Sequence, residues 1–204
     1  ILQPYVDRIE NSLAMKDKAA ASKTARNLYE SIYTGAWYTR RLPLARELLR
    51  LWLDGTGKPY FLDSDQMKRF LTEGQVQAVW LGGLAQYTGR TRVGNVRFSG
   101  LMAKNGTDQF YALGFVTVKF SGTITKVGRK DYKLEGSFHL LDKYDWQDPQ
   151  GKFVTIAGTK IKDSYATLVE DAGLAKAFNV GGVWEGTLTV NTVGGTATDD
   201  PNGR

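Results

Sequence analysis

The sequence predicts an α+β fold: an N-terminal helical region followed by a mostly antiparallel, partly open β-barrel-like sheet with one late helix. Three observations carry this. Up to Trp80, apolar residues recur every three or four positions, the spacing of one helical face. Past Gly82-Gly83 the period becomes two, with glycine, threonine, valine and aromatic residues alternating as in half-buried strands. A helical spacing then returns once, between Asp163 and Phe178. The expected organisation is a helical region over 1–82, a sheet region over 83–192 containing the 163–178 helix, and a disordered tail over 193–204, rich in Gly, Thr, Asp and Asn.

Pro4, tolerated in a first helical turn, precedes an amphipathic segment carrying Val6, Ile9, Leu13 and Met15. Ala21, Ala25, Leu28 and Ile32 share one face of the next helix. Pro43 opens a segment with Leu44, Leu48, Leu51 and Trp52 inward, and Asp54-Gly55-Thr56-Gly57 stops it. Asp63 reads as an N-cap for a helix with Met67, Phe70 and Leu71 inward, broken at Gly74. Arg92–Gly100 is the first strand candidate, Asn105-Gly106 a tight hairpin turn, and Phe110–Thr125 the return strand. The chain turns again at Gly128–Asp131 into a strand with Tyr132, Leu134, Phe138 and Leu140 on one face. Phe153–Ile156 reads as a short strand and Val183–Val190 as the last one.

Composition excludes several chemistries. With no cysteine in 204 residues, disulfides, thiolate metal sites and a cysteine nucleophile are ruled out. The single histidine, His139, rules out zinc sites that need two imidazoles and leaves little for a Ser-His-Asp triad. A formal charge of +6 favours anionic partners: phospholipid surfaces, phosphate-bearing substrates or nucleic acid. Two basic groups, Lys126 with Arg129 and Lys130, and Arg90 with Arg92 and Arg97, are candidates to face anionic head groups or to be solvated surface. The chain begins at Ile1 without a secretory signal and reads as the C-terminal domain of a longer polypeptide.

The segment Asp142-Lys143-Tyr144-Asp145-Trp146 sets two carboxylates and a phenol where a strand hands over to a loop. Rigid strand ends are where binding and catalytic groups are often mounted, although acids also serve simply to solvate turns. Together with Leu48–Gly57, Gly122–Thr125 and Leu174–Phe178, this segment resembles the colicin M family of bacteriocins over residues 44–190. The family cuts lipid II, the peptidoglycan precursor, between the undecaprenyl chain and the pyrophosphate. The resemblance implies that Asp142, Tyr144 and Asp145 belong to an active site. One departure stands out: the family's His-Arg pair downstream of the second Asp is not matched. Gly151-Lys152 occupies that region, and His139 precedes the motif on the opposite strand face.

The chemistry that the resemblance implies is phosphoester hydrolysis. Asp142 and Asp145 are candidate oxygen ligands for Mg²⁺, or one of them a general base. Tyr144 is a donor to phosphate, and Lys152 a point charge in place of the missing arginine. Trp146, Phe153 and Trp184 are candidates for apolar surface beside a prenyl chain. The resemblance implies an antibacterial toxin domain, secreted or delivered into the target periplasm. Its partners would be an undecaprenyl-linked lipid substrate, a membrane surface and a cognate immunity protein, with nucleic acid not among them. Two alternatives stay open: a non-catalytic lipid-targeting or membrane-perturbing toxin on the same fold, and a basic β-barrel module for nucleic acid.

Overall fold

The computed structural model describes residues 1–35, 41–145, 153–192 and 195–199. In chain order its elements are α1 (Gln3–Ala14), α2 (Lys18–Thr34), α3 (Pro43–Asp54), β1 (Tyr60–Leu62), α4 (Ser64–Leu71), α5 (Gly74–Leu84), β2 (Arg90–Leu101), α6 (Asp108–Leu113), β3 (Val116–Lys126), β4 (Tyr132–Tyr144), β5 (Phe153–Ile156), β6 (Thr159–Lys162), α7 (Asp163–Asp171), β7 (Phe178–Val190) and β8 (Thr196–Asp199). They form two compact units, residues 1–58 with 143–179 and residues 59–142 with 180–204. The division falls within β4 and within β7.

The first unit is built on helices. Asp17 caps α2 by accepting from the Ala20 N–H at 2.9 Å. Pro43 starts α3, and Gly55 ends it in the left-handed conformation with φ 67°. The inward faces supply Ile9, Leu28, Tyr29, Leu48, Leu49, Trp52, Tyr165 and Val169, all buried. Tyr29 meets Trp52 edge to face, centroids 5.1 Å apart. Glu10 on α1 accepts hydrogen bonds from Lys162 at 2.8 Å and from the Tyr165 hydroxyl. β5 and β6 form an antiparallel hairpin immediately before α7.

The second unit is a sheet with helices on one face. Strand order is β1-β7-β4-β3-β2, with β8 paired to β7. β2, β3 and β4 are consecutive antiparallel neighbours, while β1 runs parallel to β7. α4 opens with a full capping box, Asp63 and Gln66 each accepting from the other's backbone N–H. The core is aromatic: Trp80 of α5 lies 4.1 Å from Phe98 and 6.0 Å from Phe138, which in turn contacts Phe120 and Trp184. Gly122 and Gly136 face each other across β3 and β4, both at φ 156°. A Cβ on either would come within 2.2 Å of the opposite strand's carbonyl oxygen.

The α+β expectation and the antiparallel order of the three central strands hold. So does the openness of the sheet, which does not close into a barrel: β2 forms one edge, and the three-residue β1 lies on the other side of β7. Several details differ. Asn105-Gly106 does not make a two-residue hairpin, because Thr107 accepts from the Phe110 N–H and starts α6, so β3 begins only at Val116. The late helix stops at Asp171; Gly173 at φ 68° turns the chain, and Phe178 opens β7. Part of the tail is ordered: Thr196–Asp199 pairs with β7, and Asp199 accepts from Lys68 and Trp184, each at 2.9 Å. Among the described residues, no helix is long and apolar enough to cross a membrane.

Candidate functional site at the end of β4

Strand alternation assigns the side chains of β4. Tyr132, Leu134, Phe138 and Leu140 point inward and are buried, whereas His139 and Leu141 belong to the outward series. Asp142 follows the inward series and is half-buried, as the last β4 residue of the second unit. Lys143, Tyr144 and Asp145 belong to the first unit, and their surroundings there are well defined.

Tyr144 is 7% exposed and stacks on Phe178, with centroids 5.1 Å apart and planes 20° from parallel. Immediately after it the strand ends. The Asp145 N–H donates to the Lys143 carbonyl at 2.9 Å, a three-residue turn. This turn folds the Asp145 carboxylate back onto the Lys143 ammonium, 2.9 Å away. That hydrogen bond and the carboxylate charge hold the Lys143 ammonium above the usual lysine range, with the Glu170 charge adding in the same direction.

Glu170, in the last turn of α7, completes the cluster. Its carboxylate accepts a 2.6 Å hydrogen bond from the Trp52 indole. Burial pushes the Glu170 carboxyl above the usual carboxylate range; the Trp52 hydrogen bond opposes this, and the nearby Asp145 charge adds to it. The floor beneath is fastened through the C-terminal carbonyls of α3. The Lys176 N–H donates to Trp52 O at 3.1 Å, and the Arg26 guanidinium donates to the carbonyls of Leu53 and Leu174. The Leu48–Gly57 and Leu174–Phe178 stretches, distant in sequence, thus meet beside Tyr144.

Sequence reasoning missed Glu170 and the role of Trp52. The two are 118 positions apart, so no local pattern pairs them. Lys152 and Trp146 lie outside the described residues. Phe153 is exposed, with the Lys160 ammonium 4.6 Å from its ring centre. Trp184 is a correction: it is 3% exposed in the core of the second unit and its indole is bonded to Asp199, so it offers no surface to a prenyl chain.

The cluster has the makings of proton and charge handling. One carboxyl, Glu170, holds its proton more tightly than usual, and an exposed ammonium sits beside a second carboxylate. Among the described residues, no group of three or more carboxylates or histidines is placed to cage a metal. The donors fit Mg²⁺ only in the form it takes with phosphates, one or two carboxylates plus water and substrate oxygens. A separate polar depression of about 560 Å³ lies in the second unit, lined by Ser121, Glu135, Ser137 and Glu185. Its carboxylates are already engaged, Glu185 by Ser137 at 2.6 Å and Glu135 by Lys133 at 2.7 Å.

No family model and no curated protein matches this chain. Two solved structures are similar to it. One is a truncated form of the bacteriocin syringacin M from Pseudomonas syringae pv. tomato DC3000, with 16% identity and a TM-score of 0.41. The other is PaeM, a colicin M-like bacteriocin produced by Pseudomonas aeruginosa, with 17% identity and a TM-score of 0.42. The matches cover 72% and 78% of this chain, and 60% and 52% of those proteins.

Proposed function

We propose that this chain is the toxin domain of an antibacterial effector or bacteriocin that hydrolyses lipid II or a related undecaprenyl phosphoester and so blocks peptidoglycan synthesis. The observation that carries the reading is the end of β4, where a three-residue turn sets Asp145 against Lys143 beside the half-buried Glu170. In this reading Asp145 orients and deprotonates the attacking water. Lys143 swings from Asp145 to a phosphate oxygen as a point charge, a task that the sequence expectation gives to Lys152. Tyr144, stacked on Phe178, positions the strand end. Water adds across the bond between prenyl chain and pyrophosphate, releasing a prenyl alcohol and a pyrophosphate-bearing headgroup. Mg²⁺ belongs to the proposal as the alternative to Asp145 acting as base: Asp142 and Asp145 would then hold it, and it would neutralise phosphate charge and acidify a water. The site of action would be the target periplasm, and the producing cell would need an immunity protein.

A second reading keeps the fold without hydrolysis, as a lipid-targeting toxin whose acids are structural. The Lys143–Asp145 ion pair and the unmatched His-Arg pair favour it. Mass spectrometry of lipid-linked precursors after periplasmic expression separates the two. Hydrolysis depletes lipid II and releases its headgroup. Depolarisation without precursor loss, retained by Asp145→Asn, supports the second reading and contradicts the first.

A further inference from the structure

We infer that the outward face of the sheet in the second unit docks on an anionic phospholipid surface. Directly opposed residues of antiparallel strands project to the same side, so the register identifies the outward groups. Arg97 on β2, Lys119 on β3 and His139 on β4 form one row, and Arg92 and Arg90 head two further rows on β2. Among the described residues, no carboxylate forms an ion pair with Arg90, Arg92, Arg97 or Lys119. Among the described residues, the acids on this face are tied down, Glu135 to Lys133 and Glu185 to Ser137.

Beside the cationic row the same face turns apolar. Leu141 on β4 is 60% exposed and Val183 on β7 56%. Phe61 on β1, 71% exposed, opposes Gly181 on β7, and its ring lies so close that a Cβ there would sit 3.2 Å from it. Glycine at that position lets an aromatic lie across the strand instead of folding inward. Large aliphatic side chains left in water beside free cations suit an interfacial membrane contact, where the apolar groups enter the acyl boundary and the cations meet phosphates. A single-strand nucleic-acid platform would instead offer stacking rings along the cationic row, and Leu141 and Val183 cannot stack. Charge complementarity therefore favours an anionic bilayer. This goes beyond the hydrolase reading and does not depend on it.

Co-sedimentation of the whole chain with vesicles tests the face. Binding is expected to phosphatidylglycerol-containing vesicles, weakening as salt rises, with little to pure phosphatidylcholine. Each Lys or Arg near an anionic surface contributes roughly fivefold in partition, so Arg97→Glu with Lys119→Glu should lower binding roughly 25-fold or more. Arg8→Glu with Lys16→Glu, exposed in the first unit, makes the same change in net charge and should cost no more than about threefold at physiological salt. Circular dichroism and the thermal midpoint qualify each variant as folded. A second readout needs no charge change. Because the chain lacks cysteine, Leu141→Cys carries a unique environment-sensitive fluorophore, which should shift to the blue on adding anionic vesicles. Equal binding to neutral vesicles, equal losses in the two charge variants, an unmoved fluorophore on bound protein, or binding to nucleic acid but not to vesicles would each overturn the proposal. Vesicle binding without lipid II turnover supports the docking face and contradicts the hydrolase; turnover without vesicle binding does the reverse.

Discussion

The indole of Trp52 donates a 2.6 Å hydrogen bond to the carboxylate of Glu170, tying the end of α3 to the end of α7 within the first unit. Trp52 is fully buried and Glu170 half-buried, so the bond is sheltered from competing water. Trp52→Phe keeps a ring but leaves the carboxylate without its donor and a gap where the indole was. A loss of about 2–4 kcal/mol in urea unfolding is expected. A double-mutant cycle with Glu170→Gln should show coupling between the two positions.

Two glutamates of the first unit should give stability opposite dependences on pH. The Glu170 carboxyl is raised, chiefly by burial. Between the unfolded value of about 4.3 and its higher native value, the native state binds more protons than the unfolded one. Stability therefore falls as pH rises through that window, and Glu170→Gln should remove the fall. The Glu10 carboxyl is lowered, first by its hydrogen bond with Lys162 and then by that with Tyr165. Its contribution is present above the unfolded value and is lost as pH falls through the native one. Glu10→Gln should flatten the acid limb of the unfolding midpoint plotted against pH.

Lys143 should matter more to turnover than to folding. Its side chain is 54% exposed and that of Asp145 25%, so the ion pair contributes less than about 1 kcal/mol. Lys143→Met is expected to leave the unfolding midpoint nearly unchanged while lowering lipid II hydrolysis by about tenfold or more. The same measurement on Lys152→Met shows which lysine meets the phosphate.

Gly136→Ala should damage the second unit. Its new methyl carbon would lie 2.2 Å from the Ser121 carbonyl oxygen at φ 156°, and the facing Gly122 backbone leaves no room to shift. A loss of about 3 kcal/mol or more is expected in denaturant unfolding. Gly82→Ala, where a Cβ meets nothing within 4 Å, serves as the tolerant control.

The helices from α1 to α4 were legible because local signals agree: prolines and caps at their starts, Gly55 at a stop, and apolar residues at helical spacing. The start of α5 was not, because Gly74 reads as a break whereas the Glu73 side chain caps a new helix there. Other elements are decided by partners distant in sequence. Phe178 continues a helical pattern on paper, yet its ring is held by Tyr144 and its backbone by a strand. Asn105-Gly106 is a strong hairpin signal, but the Thr107 cap supports a helix instead. Tyr60–Leu62 is too short to show a period and exists as a strand only because β7 lies alongside. The acidic segment at the end of β4 was visible as a cluster without a structural reason. Its neighbour Glu170 was not, because the Trp52 bond that holds it spans 118 positions.

Purified lipid II with Mg²⁺, incubated with the wild-type chain and with a folded Asp145→Asn variant, tests directly whether the strand-end acids cut a lipid-linked pyrophosphate. Hydrolysis by these acids releases the pyrophosphate-bearing headgroup with the wild type and is lowered at least about 100-fold in the variant. Intact lipid II with both proteins across a range of metal and detergent conditions, or equal turnover by the two, would contradict it.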